Sequence, residues 1–152
     1  MPGTTYWWQV VVVDGRGGSV LGPLWRFTTA AVGPPPPVCP PGSLCLRGGR
    51  FRVEAEFETF DGQQGAGVGV GLTDESGFFW FFGDGNVEMF VKVLDACREP
   101  FDSYWVFAGG MTDLGITLTV TDTRDGVVKT YTNPLGAPFQ TINDTAAFAT
   151  CP

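Results

Sequence analysis

The stretch Gly77-Phe78-Phe79-Trp80-Phe81-Phe82-Gly83 sets five aromatic residues in a row between two glycines. In a strand, successive side chains point to opposite faces, so Phe78, Trp80 and Phe82 share one face and Phe79 and Phe81 the other. Each ring can bury roughly 150–250 Å², so leaving either face wet is costly. The strand therefore lies inside a two-layer sandwich with both sides covered, or its second face meets another chain.

The rest of the chain fits an all-β reading. Its 152 residues include 22 Gly and 12 Pro, and only 16% of them are charged. Short apolar runs alternate with turn formers, as in antiparallel proteins with many tight turns. The predicted architecture is all-β: an antiparallel β-sandwich, immunoglobulin- or jelly-roll-like, preceded by a β-hairpin and a polyproline linker. The expected bounds are residues 1–30 for the hairpin, 31–42 for the linker and 43–152 for the sandwich.

Charge and residue usage exclude several function classes. The net charge is −7, and the two lysines, Lys92 and Lys129, make no basic patch for nucleic acid. No apolar run reaches the ~20 residues of a membrane helix. The absence of histidine rules out histidine-based triads and His-ligated zinc. Neither a metal nor another cofactor is expected.

Four cysteines stand at Cys39, Cys45, Cys97 and Cys151, without a C-x-x-C pair. Two disulfides in an exported protein fit this spacing better than a zinc ribbon or a redox motif. The expected location is extracellular or at the cell surface. Met1-Pro2-Gly3-Thr4 lacks the basic and apolar regions of a signal peptide, so the chain reads as a fragment of a longer secreted product, or a cleaved or mis-started one. Of the three possible pairings, Cys39–Cys151 and Cys45–Cys97 are favoured. The first would clasp the two ends of the domain, and Pro40-Pro41 is expected to resist a tight Cys39–Cys45 loop.

Along the chain, Thr5 to Val13 reads as a strand with Tyr6, Trp8, Val10 and Val12 on one face and Trp7, Gln9, Val11 and Val13 on the other. Asp14 to Ser19 is a loop, and Leu24 to Thr29 a returning strand with Trp25 and Phe27 on one face. Gly33 to Pro41 is expected to form polyproline II, a semi-rigid spacer. Phe51 to Glu58 alternates apolar and charged residues, as a half-exposed strand does. Gly67 to Leu72 is a glycine-rich strand that lets another backbone approach closely. Val87 to Leu94 places Met89, Val91 and Val93 opposite Phe90, Lys92 and Leu94, and Ser103 to Ala108 is apolar on both sides. Ile116, Leu118 and Val120 point inward from Leu114 to Thr121, and Thr123-Arg124-Asp125-Gly126 signals a hairpin turn. Ala146 to Thr150 is a last short strand.

Pro2-Gly3-Thr4-Thr5-Tyr6-Trp7-Trp8-Gln9-Val10 and Trp25-Arg26-Phe27-Thr28-Thr29, joined by a Gly/Ser loop, resemble the last two strands of a fibronectin type III domain. The resemblance implies that Tyr6 belongs to a tyrosine corner and that Trp8 and Val10 face a core. The earlier strands of that family are missing. Residues 39–152 resemble a β domain at the C-terminal ends of long secreted bacterial proteins. The likeness rests on Leu44-Cys45-Leu46, Gly49-Arg50-Phe51, Ser76 to Phe82, Val91 to Asp95, Tyr104 to Phe107 and Val120 to Thr123. It implies location and architecture, without an activity.

Candidate chemistry is sparse. Asp84-Gly85-Asn86-Val87-Glu88 alternates oxygen-bearing side chains but reads as a turn rather than a calcium loop. Glu54 and Glu56 alternate on an exposed strand with nothing to raise either pKa, so glycoside hydrolysis is not expected. Trp7, Trp80, Trp105 and Tyr104 are candidates for stacking on sugar rings. Asn143-Asp144-Thr145 is the one glycosylation sequon, placed in a loop.

A two-stranded hairpin is marginal in water. The expectation is a non-enzymatic structural subunit that self-assembles, as a homo-oligomer or filament, through this hairpin packing on or completing a neighbour's sheet. The assembly interface is expected at Tyr6, Trp7, Trp8, Val10, Val11, Trp25, Phe27, Phe79 and Phe81. The alternative is a carbohydrate-binding or adhesion accessory module, with a glycan as partner.

Overall fold

A computed structural model describes residues 3–29 and 38–152. The chain divides into two compact units, Met1–Pro36 and Pro37–Pro152.

The first unit is an antiparallel hairpin of β1 (Thr5–Val13) and β2 (Ser19–Thr28). β2 begins at Ser19, not at Leu24 as expected. The register shifts between Gln9 and Val11, so Val10 faces both Gly22 and Pro23. A bulge is where a strand tolerates proline, because the missing N–H leaves no ladder bond unmade. Gln9 Nε2 donates to the Gly22 carbonyl at 2.8 Å, which pins the bulge.

The second unit is a β-sandwich of antiparallel sheets. β3 (Leu44–Leu46), β4 (Phe51–Glu58), β10 (Gly115–Asp122) and β11 (Val127–Asn133) make one sheet in the order β11-β10-β4-β3, and β5 (Gln64–Ala66) pairs with the far half of β4. β6 (Val68–Gly71), β7 (Ser76–Trp80), β8 (Met89–Ala96), β9 (Ser103–Gly110) and β12 (Ile142–Phe148) make the other, ordered β12-β9-β8-β7-β6. Period-two alternation explains the core. Phe51, Val53, Ala55, Ile116, Leu118 and Val120 point inward from the first sheet, and Phe79, Met89, Val91, Val93, Tyr104 and Val106 from the second. Phe51 packs against Tyr104 at 4.9 Å and Phe148 at 5.1 Å between ring centroids.

Gly69 and Gly77 let the two sheets close on one another. A Cβ at Gly69 would stand 2.7 Å from the Leu44 nitrogen, and one at Gly77 2.4 Å from the Val70 carbonyl and 2.6 Å from Leu44 Cδ1. Leu44 sinks into this space. The face of β7 that carries Gly77 is therefore the inner one, and Phe79 and Phe81, in phase with it, go into the core. β12 begins at Ile142 rather than Ala146, so Asn143 lies in an edge strand and not in the expected loop.

Both disulfides differ from the favoured pairing: the bridges are Cys39–Cys45 and Cys97–Cys151. The prolines help the short loop rather than oppose it. Ser43 N–H donates to the Pro40 carbonyl at 3.0 Å, and Gly42 has φ +81°. Proline at the second position and positive-φ glycine at the third are what a type II turn requires. The expected polyproline segment thus ends in a turn at Pro40-Pro41-Gly42-Ser43, and its residues 33–37 lie outside the described residues. Cys97 follows β8 and Cys151 follows β12, the two neighbours of β9, so their bridge crosses the start of β9. Two disulfides fit an oxidising compartment.

Candidate interaction surfaces

The hairpin exposes aromatic residues on both faces. Cross-strand pairing sets Tyr6 opposite Phe27 and Trp8 opposite Trp25. Both pairs stack, at 5.4 and 4.5 Å between centroids, and such pairs supply most of what a ribbon has to hold its register. On the opposite face Trp7 lies across from Arg26, whose guanidinium sits 5.6 Å from the Trp7 ring centroid. Thr5 and Thr28 share a hydroxyl hydrogen bond of 2.8 Å on that same face. Of the expected interface residues, Tyr6, Trp7, Trp8, Val10, Val11, Trp25 and Phe27 are all exposed.

Phe79 and Phe81 are not. They are 0% and 7% exposed, in the sandwich core, with Phe81 stacked on Phe57 at 4.8 Å. The expected interface is corrected at these two positions. The outward face of β7 belongs instead to Phe78 and Trp80. Register aligns Phe78 with Phe90 and Lys92 with Phe107. Phe78 and Phe90 are 6.0 Å apart, Trp105 meets Phe101 at 4.9 Å and Phe107 at 6.2 Å, and Lys92 Nζ lies 4.8 Å from the Phe107 centroid. A shallow hollow of about 270 Å³ opens between Phe90 and Phe107, over Gly77 and Lys92. Alternation across three adjacent strands carries this surface, and inward-facing Gly77 was the signal for which aromatic set would face out.

Of the proposed sugar-stacking residues, Tyr104 is buried in the core, Trp80 and Trp105 are half-buried on the outward aromatic face, and Trp7 is exposed on the hairpin. Asn143 and Thr145 are exposed on β12, while the Asp144 carboxylate accepts from the Tyr131 hydroxyl at 2.8 Å. Burial first, then this bond, pushes the Tyr131 phenol above its ordinary pKa.

One ionised cluster ties the sandwich together around Arg50 and Asp122. Asp122 is 0% exposed and Arg50 13% by side chain. Arg50 reaches Asp122 at 2.9 Å, Asp125 at 3.0 Å and the Tyr104 hydroxyl at 2.8 Å. Asp122 also accepts from Thr150 Oγ1 at 2.6 Å and the Arg124 N–H at 3.1 Å. Burial works to raise the Asp122 pKa, but the bonds from Arg50 and Thr150 outweigh it and hold the carboxyl below its usual value. The Asp84–Glu88 stretch is a turn in which the Asn86 amide donates to Glu88. Among the described residues no three His, Cys, Asp or Glu side chains gather where they could hold a metal ion. An open groove of about 620 Å³ lies beside Glu56, Glu58, Thr117 and Thr132.

The open edges of the sandwich are blunted. β6 is four residues long, β12 is irregular between Asp144 and Phe148, and β11 turns Lys129 to its inner side opposite Val120. Short edges, bulges and inward charges discourage strand addition. No family model, curated protein or solved structure matches the chain.

Proposed function

We propose that this chain is a non-enzymatic extracellular structural subunit that self-assembles through its N-terminal hairpin. The observation that carries the reading is the ribbon of β1 and β2. Twelve large apolar residues between Tyr6 and Phe27 are each at least 41% exposed, on an element too small to be stable in water alone. A neighbouring molecule supplies the cover, either by receiving the hairpin on a face or by adding a strand to it. Contact with an unlike surface of the neighbour extends into a filament, whereas contact with its own kind closes. The disulfides suit an oxidising exterior.

Sedimentation velocity of the full chain and of a chain lacking residues 1–30 tests this. The full chain should sediment above the monomer and the shortened chain as a monomer. Two monomers across the same concentration range overturn the reading.

The outward aromatic face around Trp80, Phe90 and Phe107 favours a second reading, a glycan-holding accessory module. Polysaccharide pull-down that is lost on Trp80→Ala, with a monomeric full chain, would support it.

A further inference from the structure

The hairpin's two faces are chemically unlike. One carries Trp7 with Arg26, Gln9, Ser19 and the Thr5–Thr28 hydroxyl pair among its apolar groups. That face is punctuated by polar groups and tolerates water. The other carries the rungs Tyr6–Phe27 and Trp8–Trp25, continued by Val10 and by Val12 opposite Val20. It has no charge, and its polar side-chain atoms are the Tyr6 hydroxyl, at the open end of the ribbon, and the indole N–H groups of Trp8 and Trp25. Its seven residues are exposed by between 41% and 70%.

We infer that this uncharged, aromatic face is the contact surface for the same face of a second copy, the two ribbons packing as two layers about a two-fold axis. The inference rests on the self-assembly reading above and names its surface and partner. Area supports it. At the exposures given, the seven side chains offer roughly 700 Å² per copy, or about 1,400 Å² in all, within the 1,200–2,000 Å² of a standard specific interface. Aligned sheets packing about 10 Å apart interdigitate such side chains.

Charge selects the partner. The outward aromatic face of the sandwich holds Lys92 at its centre, over Phe107. The apolar hairpin face has no carboxylate to meet it, and covering an unpaired ammonium is costly. The sandwich edges are guarded against strand addition. A second copy of the hairpin face brings no such cost, and an isologous contact closes at two.

The test is sedimentation equilibrium of the full chain with Trp8→Glu, on the apolar face, and Trp7→Glu, on the polar one. The wild type should be a dimer, Trp8→Glu should weaken dimerisation by at least about 100-fold, and Trp7→Glu should leave it within about 10-fold. Because Trp8→Glu could disturb the ribbon itself, tryptophan emission of the wild type provides a second reading. It should shift to the red on dilution through the dimer–monomer range, as Trp8 and Trp25 return to water. Mass that grows past the dimer, dissociation by Trp7→Glu and not Trp8→Glu, or unchanged emission overturns the inference. If removal of residues 1–30 abolishes association while Trp8→Glu does not, this surface is wrong and the self-assembly reading stands. If that removal changes nothing, both fall.

Discussion

Replacing Asp122 with alanine should be among the most damaging single changes to the sandwich, because it strips a charge partner from a largely buried guanidinium. Asp122 takes hydrogen bonds from Arg50, Thr150 and the Arg124 backbone, at full burial. Breaking a buried pair by removing one member costs about 3–5 kcal/mol. Arg50 keeps Asp125 and the Tyr104 hydroxyl and is 13% exposed, which points to the lower end, about 3 kcal/mol. With a urea m-value of roughly 1.5 kcal/mol/M, the midpoint should fall by about 2 M at pH 7. Near-ultraviolet circular dichroism during urea unfolding measures it. The pH dependence gives a second check. The folded pKa of Asp122 is lowered, so its contribution is present above the unfolded value of about 3.9 and is lost as pH falls through the folded one. The wild type should therefore approach the variant's stability in acid. A penalty under about 1 kcal/mol at pH 7, or a gap that stays constant down to pH 2, refutes the reasoning.

The disulfides should differ in worth: removing Cys97–Cys151, which closes a separation of 54 residues, should cost about 4 kcal/mol in the chain-entropy model, and removing Cys39–Cys45, with a separation of 6, about 2 kcal/mol. Non-reducing peptide mapping should recover these two links, and a Cys39–Cys151 peptide would contradict the fold. Gly77→Ala should destabilise the sandwich by about 2–3 kcal/mol, since its Cβ meets the Val70 carbonyl of the neighbouring strand and Leu44 of the facing sheet; a neutral thermal melt would show that β7 is not held this close to β6 and Leu44.

Much of the sandwich is legible where one strand carries its own period. Phe51–Glu58, Met89–Ala96 and Gly115–Asp122 alternate cleanly, and their buried faces follow from that alone. What escapes local reading depends on partners distant in sequence. The first residues of β12, Ile142-Asn143-Asp144-Thr145, are mostly polar and become a strand because the β9 edge is there to pair with. Gly22-Pro23 looks like a break and is a bulge. Pro41-Gly42 looks stiff and is a turn. The Arg50–Asp122 pair joins residues 72 apart, which no spacing rule reveals. For the interaction surfaces, the hairpin aromatics were readable, whereas the choice between Phe79 and Phe78 as the outward set turned on Leu44 packing over Gly77.

The placement of the two bridges also fixes how the sandwich carries tension. Cys39 is bonded to Cys45 within β3, and Cys151 to Cys97 beside β8. A pull applied before Cys39 and after Cys151 passes through sulfur into β3, at the edge of one sheet, and to the end of β8, inside the other. The terminal strand β12 is then out of the load path and cannot be unzipped bond by bond from its free end. Force enters instead at β3 and β8, so a reducing agent, which returns β12 to the load path, should lower the force at which the sandwich gives way.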